Sequence, residues 1–195
     1  EFSGEALGPL ITGGGVVLAT YLSGATFGLN PLGDERPQLP FILLTETSSA
    51  ALVRGRLLAG VAIGVPIAVL SSLVSIGFGI TVLEAVATAA VGVVMCLAAA
   101  MFAVGIGSAY PIYEEREFWG TETVVPSTLV MMVYLFVVGG GTVLGLFVTW
   151  FAVTGNVVLT PVFGVLFGTY LLLTGGVSYG SYRYALRRHR RYTLA

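Results

Sequence analysis

Long apolar runs alternate with shorter polar segments along the whole chain, and this pattern predicts helices that cross a membrane. A helix needs about 20 mainly apolar residues to cross about 30 Å of hydrocarbon. Five stretches meet this requirement, and we predict them as spans: 10–27, 57–80, 85–109, 129–152 and 157–181. The pattern therefore predicts an all-α, polytopic membrane helix bundle with a single transmembrane domain over residues 1–195.

The polar connections between these spans differ greatly in length. Residues 81–84 alone join the second span to the third, and residues 153–156 join the fourth to the fifth. Both connections predict tight antiparallel hairpins. The two long connections, 28–56 and 110–128, must then lie on the same side of the membrane.

The basic residues predict which side that is. All nine are arginines, which is typical of a GC-rich genome such as that of a halophilic archaeon. Short loops rich in arginine stay on the cytoplasmic side. Every arginine falls in a long connection or in the tail 182–195: Arg36, Arg54, Arg56, Arg116, Arg183, Arg187, Arg188, Arg190 and Arg191. We therefore expect a multi-pass protein of the plasma membrane, with both long connections and the C-terminus in the cytoplasm.

Composition excludes several classes of function. Charged residues make up 10% of the chain, against about 25% in ordinary soluble domains. The scattered arginines do not form a track for nucleic acid. One histidine, His189, excludes a histidine-based metal cluster, and one cysteine, Cys96, excludes an intramolecular disulfide. A chain without lysine has no phosphate-binding loop of the usual kind. We therefore expect no enzyme activity and no cofactor, and ATP would have to bind to another subunit.

The longest interruption between apolar runs, residues 30–59, has a pattern of its own. A turn rich in Pro, Gly and acids leads into a short apolar piece, 41–44, and then into a Thr/Ser-rich break. A hydroxyl of this break is a good candidate to cap a helix. Arg54 and Arg56 then lead into the second span. We interpret the stretch as an amphipathic elbow on the membrane surface that docks a partner. The alternative is an ordinary connection with one interfacial helix.

The elbow also carries a resemblance to a known family. Leu43-Leu44-Thr45, then Ser48-Ser49, then Leu52-Val53-Arg54-Gly55-Arg56-Leu57-Leu58-Ala59 resembles the segment after the second span of type-2 ABC exporter permeases. Gly107, Pro111, Tyr113 and Glu114 are similar to the family's exit from the membrane after its fourth span. The family usually has a proline in the break, where this chain has Thr47-Ser48-Ser49-Ala50.

The resemblance implies a permease subunit of an ATP-driven exporter. Such subunits form the substrate path, pair as homo- or heterodimers of six-span units, and dock separate ABC ATPase subunits through a coupling helix. The five spans here would match the second to sixth of the family, so we expect the natural protein to have one more span before Leu10. The implied docking segment is 39–56. Its candidate contact residues are Phe41, Leu43, Leu44, Thr45, Ser48, Arg54 and Arg56.

The tail after the last span has two interpretations. Arginines near a membrane surface attract anionic lipid headgroups, each by about 1 kcal/mol. We interpret the arginines of this tail as an anchor at the surface of the lipid bilayer: Arg183, Arg187, Arg188, Arg190 and Arg191. The alternative is that this tail binds the partner.

Other functions remain open. A secondary transporter or channel-like protein would use Glu84, the one acid next to a span, although its place at a turn favours an ordinary solvated side chain. A third class is a membrane scaffold that recruits a soluble partner. The acids of the second long connection are interpreted as a solvated face, with a Mg²⁺ or Ca²⁺ site as the alternative: Glu114, Glu115, Glu117 and Glu122.

Glycines are frequent in the predicted spans, and many are spaced four residues apart. Small residues with this spacing let helix backbones approach closely. The pairs are Gly24/Gly28, Gly60/Gly64, Gly141/Gly145, Gly164/Gly168 and Gly176/Gly180. Two glycine triplets, 13–15 and 139–141, are either hinges or further packing sites, and packing is the simpler interpretation.

Overall fold

The computed structural model describes residues 4–31, 33, 48–112, 116–118, 121–123, 126–155 and 161–191. These residues are helical apart from short turns and one small ribbon. The helices are α1 (Gly4–Ala25), α2 (Ser49–Val74), α3 (Val82–Ala109), α4 (Thr128–Tyr134), α5 (Gly140–Val153) and α6 (Pro161–Arg190). A π-helical segment, Leu135–Gly139, joins α4 to α5, so that the two run on as one element.

Four helical stretches of the described residues are long and apolar enough to cross a membrane: Ala6–Ala25, Ala50–Phe78, Val82–Ala109 and Thr128–Val153. They overlap the first four predicted spans, so the prediction of a helical protein with helices long and apolar enough to cross a membrane is confirmed, and the crossing itself stays a prediction. The fifth predicted span, 157–181, falls largely within α6. That α6 crosses the membrane, and that the total is five, stay predictions.

Helix α1 lies against both α2 and α3, and these three helices form the centre of the bundle. Their shared core is built from small and β-branched residues, with Val16, Ala19, Ala68 and Cys96 buried together. Small side chains let the backbones come close enough for a hydrogen bond between helices. The hydroxyl of Ser23 donates to the carbonyl of Cys96 at 2.9 Å.

The α4–α5 element is fastened to α1 through one aromatic side chain. Tyr134 is fully buried at the end of α4, and its hydroxyl lies 3.1 Å from the carbonyl oxygen of Thr20 and 2.9 Å from that of Tyr21. Its ring lies near those of Tyr21 and Phe102. A buried tyrosine hydroxyl needs such a partner, and here α1 supplies it.

The hairpin predicted between the second and third spans is confirmed. A 3₁₀ turn, Ser75–Phe78, ends α2, and Gly79 takes a left-handed conformation with φ of 91°. Thr81 then caps α3, which begins at Val82. The hairpin predicted at 153–156 begins with a turn at Gly155, whose φ is 68°, but residues 156–160 lie outside the described part of the chain.

One element was not predicted. Strands β1 (Arg116–Phe118) and β2 (Thr121–Thr123) pair antiparallel within the second long connection, with Glu117 opposite Glu122. The apolar and polar pattern predicts a loop here and an all-α protein. Three residues per strand are too few for the alternation of apolar and polar residues that identifies a strand in sequence.

Candidate partner-docking site

The docking segment returns to the bundle through the first turns of α2. Ser48 is the cap: its hydroxyl accepts a hydrogen bond from the backbone N–H of Ala51 at 3.2 Å. The helix therefore begins at Ser49, before the predicted start of the span at Leu57. Residues 49–56, predicted as part of a connecting loop, are helical because neither proline nor a second glycine interrupts the turn after the cap.

Two predicted docking residues on these turns make hydrogen bonds to other helices of the same chain or to residues next to them. The Nε of Arg54 donates to the hydroxyl of Tyr182 on α6 at 3.2 Å. The Nη1 of Arg56 donates to the carbonyl oxygen of Phe27, just after α1, at 3.0 Å. The start of α2 is thus tied to the end of α1 and to the last third of α6. That Arg54 and Arg56 also contact a docked partner stays a prediction.

The point where the segment leaves the bundle is also fastened. Asn30 is buried and makes two hydrogen bonds with the backbone of Ile112: its Nδ2 donates to the carbonyl oxygen at 3.0 Å, and its Oδ1 accepts from the N–H at 3.1 Å. A Cβ at Gly33 would overlap this pair, so only glycine fits there. The ends of α1 and α3 are joined by a single side chain.

We call the group formed by Phe27, Asn30, Arg54, Arg56, Ile112 and Tyr182 the elbow base. Its hydrogen bonds connect the ends of α1 and α3, the start of α2 and the last third of α6 at one end of the bundle. The segment between Asn30 and Ser48 therefore begins and ends on a shared support. A displacement of that segment would be passed to four helices at once.

The remaining predicted docking residues cannot be placed on this support. Phe41, Leu43, Leu44 and Thr45 lie outside the described residues. Ser48 is exposed at the start of α2, where its hydroxyl is used as the cap. Of the predicted docking residues, the structure therefore places Ser48 at the cap of α2 and Arg54 and Arg56 on its first turns.

The predicted membrane-surface anchor lies on the last turns of α6 and the residue that follows them. Helix α6 continues to Arg190, and the five anchor arginines are exposed: Arg183, Arg187, Arg188, Arg190 and Arg191. The opposite face packs against the bundle, where Ala185 is buried with Val53 of α2 and Val104 of α3. His189 is also buried, with its Nδ1 3.0 Å from the carbonyl oxygen of Ala185. The arginines are thus held at the same end of the bundle as the elbow base.

Glu84 lies at the opposite end of the bundle, in the first turn of α3. Its Oε2 accepts hydrogen bonds from the backbone N–H and from the hydroxyl of Thr81, at 2.9 and 2.8 Å. Together with the bond from the Glu84 N–H to the Thr81 hydroxyl, this forms a capping box. Glu84 therefore has a structural role, as its place at a turn suggested.

The metal alternative of the second long connection is not addressed by the described residues. Glu114 and Glu115 lie outside them, and the side chains of Glu117 and Glu122 are likewise undescribed. Among the described side chains, no group of three His, Cys, Asp or Glu residues lies close enough to hold a metal ion.

Sequence reasoning missed the residues that hold the elbow base together. Asn30 and Phe27 are far in sequence from their partners Ile112 and Arg56, and Asn30, Phe27 and Ile112 carry no pattern of their own. Tyr182 was counted only as part of the tail. One weak signal is that Asn30 is a lone amide directly after a long apolar run, where buried backbone groups need partners once a helix ends.

No known protein family, curated protein or solved structure matches this chain. The class of the protein therefore rests on its fold: a helical bundle in which four helical stretches of the described residues are long and apolar enough to cross a membrane. The permease resemblance of the elbow enters below as a proposal.

Proposed function

We propose that the chain is the membrane subunit of an ATP-driven type-2 ABC exporter. In this proposal it crosses the plasma membrane five times, with its C-terminus in the cytoplasm, and pairs with a second permease unit. A separate ABC ATPase docks on segment 39–56. The chain forms the substrate path and leaves ATP hydrolysis to its partner, since it contains no lysine for a phosphate-binding loop.

The elbow base is the observation that carries the proposal. A coupling segment has to pass a push from a partner to the helices that line a path. Here Asn30, before the segment, is bound just beyond the end of α3, and Arg54 and Arg56 bind the end of the segment to α6 and to the residue Phe27 after α1. A loop that merely connects two spans does not need to be fastened to three other helices.

The mechanism follows from this support. Closure of the ATPase would move segment 39–56, and the shared elbow base would move the ends of α1, α2, α3 and α6 together. The bundle then shifts between two packings, one open to each side of the membrane. The free energy that the ATPase can supply to this shift equals the difference between its binding free energies for the two packings.

Leu43→Asp tests the docking surface. A buried apolar contact at a partner interface typically costs more than about 1 kcal/mol when removed, and a charge placed there costs more still. We expect association with the partner ABC ATPase to weaken by at least about tenfold. The measurements are co-purification and transport-stimulated ATP hydrolysis. The control is Arg36→Ala in the preceding acidic turn, which should change both by much less.

Membrane insertion of Leu43→Asp should be normal, because position 43 lies outside every predicted span. Unchanged association together with unchanged coupling would remove the main support for an ABC permease.

Asn30→Ala tests the support rather than the surface. The substitution removes both hydrogen bonds to Ile112, so the segment would still bind the ATPase but pass on less of its movement. We expect normal co-purification and a lower ratio of transport to ATP hydrolysis. The control is Thr26→Ala, whose exposed hydroxyl bonds the carbonyl of Leu22 in its own helix at 2.8 Å. If coupling is equal in the two variants, the elbow base does not transmit the movement.

Single cysteines test the orientation. With Cys96 replaced by alanine, cysteines at Ser48 and Thr121 should be protected from a membrane-impermeant maleimide added to intact cells. A cysteine at Thr154 should react, because all the arginines lie on the other side. Labelling of position 48 or 121 from outside, or protection of position 154, would contradict the proposed topology.

A further inference from the structure

We infer that the end of the bundle opposite the elbow base holds a binding site for a hydrophobic organic cation. The site is a cleft between the start of α1, the α2–α3 hairpin and the end of α5. Its outer lobe has a volume of about 660 Å³ and its inner lobe about 260 Å³. Both lobes are lined by Pro9, Ile80, Glu84 and Trp150, so the two are adjacent, and we call them together the Glu84 cleft.

The walls of the inner lobe are apolar. Val143, Leu146 and Phe147 of α5 form one side. The two hydroxyls that reach the lobe are already used, because Thr12 donates to the carbonyl of Gly8 at 3.0 Å and Thr88 to that of Glu84 at 2.8 Å. A ligand in this lobe therefore meets hydrocarbon and few polar groups that seek a partner.

Among the residues that the structure describes, Glu84 is the charged residue that lines the cleft. The capping box holds its carboxylate in place through Oε2, and the described residues give Oε1 no hydrogen bond. The helix N-terminus also stabilises a negative charge in this first turn. The cleft thus combines apolar walls with an anion that is fixed in position and has one oxygen to spare.

The aromatic residues favour the same kind of ligand. Trp150 is 38% exposed and faces both lobes, and Phe147 lines the inner one. An indole face attracts a cation by about 0.5–2 kcal/mol, depending on how far the site excludes water. An anion would be repelled by Glu84, and a neutral apolar molecule would cover the carboxylate without pairing it. A cation with an apolar body would pair with the Glu84 carboxylate and pack against the aromatic and apolar side chains.

A glycine keeps the inner lobe open. Gly13 lines this lobe, and a Cβ at that position would meet no other atom within 4 Å. A larger side chain at Gly13 would therefore enter the lobe without disturbing the packing of α1. Gly14 also faces open space but does not line the cleft, so it provides a matched control.

The experiment uses two probes of the same shape and opposite charge, tetraphenylphosphonium and tetraphenylborate. The protein is the purified full chain in a non-ionic detergent, in a Trp119→Phe background that leaves Trp150 as the only tryptophan. Emission from Trp150 then reports on the cleft itself. We expect saturable binding of tetraphenylphosphonium and much weaker binding of tetraphenylborate.

Two substitutions separate charge from space. Glu84→Gln removes the charge but keeps an acceptor for the capping box, which also accommodates glutamine. It should weaken tetraphenylphosphonium binding by about tenfold, as expected for loss of one close ion pair in a partly exposed site. Gly13→Leu should abolish the saturable response, and Gly14→Leu should leave it unchanged.

Equal responses to the two ions would overturn the inference. They would mean non-specific partition of both ions into an apolar surface, or a cleft that is filled by detergent. An unchanged affinity in Glu84→Gln would overturn it too, even if Gly13→Leu fails to fold. The test needs no ATPase and no transport, so its outcome is independent of the proposed function. Loss of ATPase coupling in Leu43→Asp would likewise say nothing about the cleft.

Discussion

The same glycine spacing has different consequences in two regions of this molecule. Where α1 crosses α2 and α3, glycines four residues apart lie in close contact with a neighbouring helix. Along α6, glycines with the same spacing face open space. The comparison shows that the spacing permits close packing and does not by itself produce it.

The contacts of the first region leave no room for a side chain. A Cβ at Gly60 would overlap the backbone oxygen of Ser23, and one at Gly64 would lie 2.6 Å from that of Ala19. A Cβ at Gly24 or Gly28 would likewise lie too close to the Cβ of Ala103 on α3, at 2.8 and 2.6 Å. The prediction of close packing is confirmed for these two pairs.

Helix α6 has none of these constraints at its paired glycines. Among the atoms that the structure describes, none would lie within 4 Å of a Cβ at Gly164, Gly168, Gly176 or Gly180. Large apolar side chains on the same helix are exposed, among them Leu172, which is 78% exposed. The prediction that these glycines pack against another helix is therefore wrong for this chain taken alone. In the proposed membrane setting, hydrocarbon or another subunit would cover this face.

The glycine triplets combine both situations. Gly15 lies directly against Ser71, whereas Gly13 and Gly14 face open space. A Cβ at Gly141 would lie 3.7 Å from Met95, whereas Gly139 and Gly140 face open space. Gly139 is the last residue of the π-helical segment. Packing therefore accounts for one glycine of each triplet. A wider turn at the second triplet fits the low helix propensity of consecutive glycines.

The largest effect expected from this comparison is a change of sign between two alanine substitutions. Gly60→Ala forces α1 and α2 apart and should destabilise the fold by about 1–3 kcal/mol. Gly180→Ala adds a methyl group in open space and should stabilise α6 by up to about 1 kcal/mol. The measurement is the free energy of unfolding of the purified chain in mixed micelles.

Equal effects of the two substitutions would contradict the comparison. Destabilisation by Gly180→Ala would mean that α6 is packed against something in solution, such as a second copy. Running the titration at several protein concentrations separates that case from a change within the monomer.

Sequence reasoning predicted the parts of this fold that depend on local physics. Apolar runs long enough to cross hydrocarbon located the helices, a hydroxyl in the Thr/Ser break proved to be the cap at Ser48, and a short polar link gave the α2–α3 hairpin. Each of these depends on neighbours within a few residues. Local patterns are therefore readable without a structure.

The elbow base and the Glu84 cleft were not predictable in this way. Asn30 meets Ile112, and Arg54 meets Tyr182, across large separations in sequence. The apolar pattern says which residues avoid water but not which helices become neighbours. The same limit explains why five glycine pairs looked alike in sequence and differ in the fold.

The smallest expected effect concerns the link between α4 and α1. Tyr134→Phe removes the hydroxyl that lies against the carbonyl oxygens of Thr20 and Tyr21 but keeps the ring against Phe102. Those two carbonyls belong to helix α1, so the loss is one hydrogen bond between helices, worth about 0.5–1.5 kcal/mol.

The control for Tyr134→Phe is Tyr179→Phe on α6, since Tyr179 is 56% exposed and should contribute almost nothing. Both variants are measured by the same unfolding titration. A difference between them of about 1 kcal/mol would place the tightly packed region on α1 and its neighbours, as the glycine contacts do. If the two substitutions cost the same, hydrogen bonding by Tyr134 does not add to that packing, because α4 then holds to α1 through the ring alone.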